Sequence, residues 1–407
     1  MRAVRKLADA DAEILLIDRH NYHTFIPLLY QVATGFIEPE LIAHPLRKML
    51  RNISNASFLM AEVKRIELEN KAVITDSGSI SYDYLIIATG SQTNFLGVSG
   101  APKHTLPLRT LEDAIALRHQ ILNCFERAVK QKRSPDLQNN SQLEQLMTFT
   151  IVGGGPTGVE IAGALQELIH NCLVKDYPLL DPRLAKVILL QSGDSLLSSY
   201  PKRLSQYTAR QLRDRGVKVH FNNKVKTTSP TQVVLSDEST IATATIIWTA
   251  GVEANLPQLT DEIPTANKNK LEVLTTLQLP EHPQVYVAGD AAYVEHNGEP
   301  LIGVAPEALQ LGGAIANNIK RQLTGKPPTA FNYFNKGTAA IIARNAGVAH
   351  LLGKIPLRGF GAWLLWLGIH VYYLPGLSNR WRVLGAWLKD YILRDRDSLQ
   401  IVTKKQS

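Results

Sequence analysis

At 407 residues the chain is too long for one compact core, and domains of ordinary size would divide it into two or three. Hydrophobic residues at 45% and charged residues at 20% exclude both a disordered chain and one wholly embedded in a membrane. The net charge of +8 is uneven: from 354 to 407 nine Lys or Arg stand against three Asp, beside four of the five tryptophans, which suits a membrane surface better than nucleic acid.

In chain order, residues 1–10 read as a helix without the apolar core of a secretory signal, and Glu13–Asp18 (E-I-L-L-I-D) reads as a buried parallel strand ending in an acid. Tyr84–Ala88 is a second strand, running into Thr89, Gly90 and Ser91. Thr110–Lys132 carries helical apolar spacing, and Gln131–Gln145 is polar enough for a flexible linker. Strands follow at Phe149–Val152, Val187–Gln191, Ile246–Trp248 and Val285–Ala288, the last leading into Gly289 and Asp290. Strands alternating with helices predict a doubly wound α/β architecture. After Pro327 that alternation is lost, and aromatic, glycine and basic residues predict a separate module. The two cysteines, Cys124 and Cys172, form no CxxC, so neither a disulfide framework nor a metal site is expected.

The segment I-V-G-G-G-P-T-G-V-E sets Gly153, Gly155 and Gly158 in G-x-G-x-x-G spacing between a strand and a helix. The first glycine permits the tight turn, the second lets backbone amides approach a pyrophosphate, and the third packs helix on strand while the helix N-terminus faces the anion. That pattern predicts a site for NADH or NADPH. The following strand should end in an acid for the adenosine ribose, yet it ends in Gln191. A neutral amide bonds a hydroxyl without repelling a 2′-phosphate, so NADPH is harder to exclude. A plain solvent-facing strand end is the alternative.

Y-D-Y-L-I-I-A-T-G-S at 82–91, I-I-W-T-A-G-V at 246–252 and V-Y-V-A-G-D-A-A at 285–292 resemble the flavoproteins built from two dinucleotide-binding domains. N-Y-H-T-F-I-P-L-L-Y-Q-V-A-T-G at 21–35, G-V-A-P-E-A-L-Q-L-G-G at 303–313 and F-N-Y-F-N-K-G-T-A-A-I-I at 331–342 narrow this. Over nearly its whole length the chain resembles the type II NADH dehydrogenases, single-subunit NADH:quinone oxidoreductases that pump no protons. The resemblance implies FAD as cofactor, NADH or NADPH as electron donor and a membrane quinone as acceptor. It implies an α/β fold of two Rossmann-like dinucleotide-binding domains with a C-terminal membrane-associating helical module. The expected boundaries are 1–109 for the first part of the FAD domain, 110–272 for the NAD(P)H domain, 273–326 for the second FAD part and 327–407 for the membrane and quinone module. Thr89, Gly90, Gly251, Gly289 and Asp290 would lie at the flavin, with Asp290 at its ribityl and pyrophosphate region and Asp18 in the place of a ribose-binding acid.

The chain departs from that family in two places: Gln191 replaces the more usual glutamate, and 12 residues precede the strand at Glu13, too few for an opening strand and its glycine loop. The loop is expected upstream, with the start assigned about 25 residues late, judged from a fold unit of roughly 30 residues. The alternative function is a flavin-deficient NAD(P)-binding membrane-associated protein with little or no activity. Taken alone, Asp18 reads as a strand-end turn residue.

Glu160, two residues after Gly158, is assigned by the resemblance to nicotinamide positioning and proton management, against the competing reading of an acid favoured by the helix dipole. Gln310 resembles the family's glutamine at flavin and quinone headgroup, where a neutral donor and acceptor suits a carbonyl. Gly359–Leu374 is a nearly uncharged run of 16 residues, about 24 Å as a helix and short of a bilayer core of about 30 Å. With Trp363, Trp366, Tyr372 and Tyr373 and flanking Lys354, Arg358, Arg380 and Arg382, it suits an interfacial helix; a core helix or a homodimer interface competes. His370, alone in that run, reads as structural. The expected location is peripheral, on the cytoplasmic face of an energy-transducing membrane. A sulfide:quinone oxidoreductase or disulfide reductase would need cysteines at the flavin, and Cys124 and Cys172 lie elsewhere.

Overall fold

The computed structural model describes residues 1–133, 140–261, 263–393, 396 and 399–401. They form two compact units, the first of residues 1–23, 44–92 and 252–335, the second of 24–43, 93–251 and 336–407.

The first unit contains the parallel pair Ile14–Asp18 and Ala56–Met60. A second parallel pair, Leu85–Ile87 with His282–Val287, is extended by Gln278–Leu279. The strands Ile14–Asp18 and Leu85–Ile87 end close to where the sequence predicts, because an apolar run stops at Asp18 or at the Gly90 turn. Helix Ala305–Leu323 lays Leu311, Ile315 and Ile319 against Leu277, Tyr286 and Leu7, closing the core. An antiparallel set, Val63–Glu67, Ala72–Thr75 and Gly78–Ser81, completes the unit together with Gln258–Leu259.

The second unit is built on a five-stranded parallel sheet in the order Leu106–Pro107, Thr245–Trp248, Thr148–Val152, Lys186–Leu190, Lys218–His220. Thr148–Val152 is buried along its whole length, as a strand covered on both faces must be. Helices Leu111–Arg133, Pro156–Leu168 and Lys202–Arg213 belong to this unit.

Several expectations need correction. The opening helix spans only Arg2–Lys6. The linker expected over 131–145 is largely helical, ending one helix at Arg133 and starting another at Asn140; positions 134–139 lie outside the described residues. Residues 336–407 do not stand apart. They cluster with 93–251, because an antiparallel sheet of Gly337–Ala343, Ala346–Leu351 and Ile355–Gly359 packs on helix Pro156–Leu168. Gly163 is the point of contact: a Cβ there would sit 1.7 Å from the Ile342 carbonyl oxygen. The tight turn after Ala343 is made by Asn345, whose φ of 59° is one that Asn tolerates.

Two helices follow, Phe360–Tyr373 and Leu377–Leu393. Among the described residues no helix is long and apolar enough to cross a membrane. Trp366 is fully buried rather than interfacial. In the last helix Trp381, Leu384, Leu388, Tyr391 and Ile392 are all exposed, while Val383, Trp387 and Asp390 face inward. Arg394, Lys404 and Lys405, part of the basic excess read from the sequence, lie outside the described residues.

Candidate functional site

In the second unit, strand Thr148–Val152 delivers the chain into the glycine loop, and the three glycines take different duties. Gly153 has φ 110°, and a Cβ on it would stand 2.8 Å from the Ala250 nitrogen. Gly158 packs tighter still, 1.8 Å from the Gly153 carbonyl oxygen, so a side chain there has no room. Gly155, which caps helix Pro156–Leu168, meets nothing within 4 Å. Its open side is where a ligand can approach the helix N-terminus. Thr249 steadies the loop by donating its hydroxyl to the carbonyls of Val152 and Gly153 at 2.9 and 3.1 Å. Gly251, two residues on, has φ 73° and lies against the Asn94 carbonyl.

Gln191 stands at the end of the neighbouring strand, where the sequence places it. Its carboxamide oxygen turns back to accept the Gly154 N–H at 2.9 Å. The side chain therefore holds the glycine loop, a duty that spacing alone does not reveal.

Glu160 is the fifth residue of its helix, beyond the first turn to which the dipole is confined, so the dipole does not account for it. Its carboxyl is buried under strand Gly337–Ala343, where the Ile341 N–H approaches at 3.4 Å. Burial pushes it up to about 8, opposed by the Ile341 amide and the Trp366 indole. Tyr30 and Tyr200, both buried, are raised above the usual tyrosine range by the same burial and by the Glu160 charge. His370 stacks on Trp366 with ring centroids 3.7 Å apart, and its Nδ1 donates to the Trp366 carbonyl at 2.6 Å. Burial pushes His370 down to about 4, so it stays neutral, in keeping with a structural histidine.

In the first unit, Asp290 follows Gly289, whose φ is 68°, and accepts the Ser91 hydroxyl at 2.5 Å. A small cleft beside it is lined by Lys270, Gly289, Gly303, Val304 and Glu307. Glu307 closes the cleft's rim by accepting the Gly303 and Val304 amides at 2.8 and 3.0 Å, which also caps helix Ala305–Leu323. Lys270 is brought in by strand Lys270–Glu272, paired in parallel with Ala292–Tyr293, and desolvation holds its ammonium below the ordinary value. No motif marks it in the sequence; only its register beside the G-D turn could.

Thr89 is exposed, and Gly90 has φ 72° with nothing where a Cβ would lie. Asp18 is exposed and accepts the His20 amide at 2.8 Å, the local turn that the residue alone suggests. Gln310 is fully engaged by the extended segment after Pro327: its Nε2 donates to the Phe334 carbonyl at 2.9 Å and its Oε1 accepts the Phe334 amide at 3.0 Å. Cys124 and Cys172 are buried, Cys124 against Thr245.

A family model described as pyridine nucleotide-disulphide oxidoreductase matches residues 1–312. The type II NADH:quinone oxidoreductase Ndh of Mycobacterium tuberculosis is 34% identical, covering 100% of this chain and 88% of that protein. The type II NADH:quinone oxidoreductase of Haemophilus influenzae is 28% identical over 89% of this chain and 86% of its own. Among solved structures, NDH2 from Plasmodium falciparum in complex with NADH superposes with a TM-score of 0.86 at 18% identity, covering 95% of each chain, which is a likeness of fold.

Proposed function

The chain belongs to the type II NADH:quinone oxidoreductases of the pyridine nucleotide-disulphide oxidoreductase family, and we propose that it oxidises NADH and reduces a membrane quinone by two electrons with FAD as its cofactor. The observation that carries this reading is the glycine loop with its single open side at Gly155, facing a helix N-terminus. Gly153, Gly155 and Gly158 form the pyrophosphate seat for the nicotinamide nucleotide. Gln191 keeps the Gly154 amide in line and turns the rest of its carboxamide to the adenosine ribose, where its neutrality admits NADPH beside NADH.

The first unit fits FAD in its donor set. Gly90 leaves open space in place of a Cβ, and Ser91 fixes an Asp290 carboxylate able to accept ribityl hydroxyls. Thr89, Gly90, Gly289 and Asp290 would hold the flavin's ribityl and pyrophosphate, Gly251 would lie at the flavin, and Asp18 would meet the adenosine ribose. When bound, FAD supplies the two-electron chemistry that joins a hydride donor to a quinone.

The chain's own groups bind, orient and manage protons. Quinone reduction to quinol consumes two protons, and Glu160, neutral near pH 7 in its buried seat, can store one of them. Gln310, by clamping Phe334, shapes the quinone side with backbone rather than with a free amide. The exposed apolar face of the last two helices, flanked by Arg380 and Arg382, suits peripheral attachment to the cytoplasmic face of an energy-transducing membrane, a second copy being the competing occupant.

The test is NADH oxidation by protein supplied with FAD and a soluble short-chain quinone. Wild type should turn over quinone in one-to-one stoichiometry with NADH. Gly155→Val should raise KM for NADH at least about tenfold with thermal stability retained, because its side chain enters open space. Unchanged KM in that variant would remove the loop from the site.

A further inference from the structure

Within the first unit the turn Gly289–Ala291 is packed by two elements, helix Ala305–Leu323 and strand Lys270–Glu272. The strand is tightly placed. A hairpin pairs Ala266 with Lys270 across Asn267–Asn269, where Lys268 and Asn269 take φ of 62° and 57°, and the next residue, Leu271, stands in parallel register with Ala292. The Lys270 backbone is thus fixed by its own pairing and by its neighbour's, and its side chain lines the cleft beside Asp290.

The fold itself does not call for a cation there. The cleft holds two acids, and each is already engaged. Asp290 accepts the Ser91 hydroxyl with one oxygen and keeps the other close to Gly303, where a Cβ would stand 3.2 Å away. Glu307 accepts the Gly303 and Val304 amides. Lys270 makes no hydrogen bond or ion pair with either among the described residues, although it is half-buried and desolvation opposes its charge. An ammonium so placed costs stability unless a negative group meets it. Among the described residues lining the cleft it is also the one positive side chain, so an anion brought beside Asp290 and Glu307 is repelled unless Lys270 receives it.

We infer that Lys270 is a further cofactor-binding residue, whose ammonium receives a phosphate of the FAD pyrophosphate beside Asp290. The inference rests on the reading of the first unit as the FAD site, and it supplies the positive charge that Thr89, Gly90, Gly289 and Asp290 lack. A carboxylate that accepts ribityl hydroxyls next to a dianionic pyrophosphate needs a cation between them. Lysine suits that place because its ammonium is a compact point charge on a flexible stem.

The test compares wild type, Lys270→Gln and Lys270→Arg, each freed of flavin and reloaded with FAD. Lys270→Gln should weaken FAD binding at least about tenfold, the loss of one hydrogen bond to a charged group, and Lys270→Arg, which keeps the charge, should recover most of it. Phosphorus NMR of the bound cofactor should show the pyrophosphate resonances moved in Lys270→Gln. The flavin midpoint potential should stay as in wild type, because the phosphates carry the same charge in oxidised and reduced cofactor. Unchanged affinity overturns the inference, and so does a shifted potential with unmoved phosphorus resonances, which puts the ammonium at the ring. Wild type that binds no FAD overturns the cofactor reading itself, and the inference with it. Should Lys270→Gln fail to fold, acetylation of wild type decides: FAD must protect Lys270 and riboflavin, which lacks phosphate, must not. Protection by riboflavin, or none by FAD, overturns the inference.

Discussion

Replacing Glu160 with Gln converts a buried acid into a neutral isostere, and its effect on stability should grow with pH. Burial raises the acid from 4.5 to about 8. Between those values the folded protein keeps the proton while the unfolded chain releases it, so the wild type loses stability as pH rises from about 4.5, and the loss is complete above about 8. The gap is worth at most roughly 5 kcal/mol, accumulating at about 1.4 kcal/mol per pH unit. Gln carries no such dependence, so the difference in stability between variant and wild type should climb in favour of the variant through this window. Urea unfolding followed by tryptophan fluorescence is suited to the measurement, because all five tryptophans lie in the second unit with Glu160. Both proteins would be unfolded at intervals from about pH 5 to about pH 8. Two curves separated by a constant amount would refute the argument, since a pH-independent difference is repacking and not proton release.

Two further outcomes follow from the same geometry. Gln191→Glu keeps the acceptor for the Gly154 amide but adds a negative charge, so the kcat/KM ratio of NADH over NADPH should rise at least about tenfold, as expected for like charges near 5 Å at an effective dielectric near 20; an unchanged ratio would remove Gln191 from the ribose. Substituting Ser for Trp381, Leu388 and Ile392 together, residues exposed by 73, 60 and 66%, should spare the fold yet reduce cosedimentation with anionic liposomes more than tenfold, since each inserted apolar group contributes about 1.5–3 kcal/mol; retained sedimentation places the anchor elsewhere, and a loss of dimer in its stead assigns the face to a second copy.

The glycine loop is legible in the sequence because Gly153 and Gly158 are each demanded by a different close contact while Gly155 keeps an open side, and such demands leave a fixed spacing. The parallel strands are legible for a similar reason: a strand covered on both faces must be continuously apolar, as Thr148–Val152 is. The hairpin of Gly337–Ala343 and Ala346–Leu351 is not. Its strands are rich in Gly and Ala because helices press on them at Gly163 and Gly347, and small residues chosen for closeness carry little strand signal. Trp366 reads as interfacial in the sequence because a helix apolar on every side has no pattern to say which side is inside.

The last helix has a pattern, and its meaning is inverted. Its apolar stripe of Trp381, Leu388 and Ile392 points outward, while an acid, Asp390, points in. The acid is tolerated because Arg344 and Arg396 reach its two oxygens at 2.9 and 3.2 Å, and Arg396 also donates to the Thr34 carbonyl at 2.8 Å. Trp387 adds a bond from its Nε1 to the Gln31 oxygen at 2.8 Å. A buried ion pair is weak evidence for net stability, because desolvation offsets most of the attraction. Its specificity is stronger evidence: only one rotation of the helix satisfies Asp390, Trp387 and the Thr34 carbonyl together. Polar contacts therefore join the burial of Val383 and Trp387 in fixing which face is turned in, and the apolar face left outside is free to meet something other than the protein's own core.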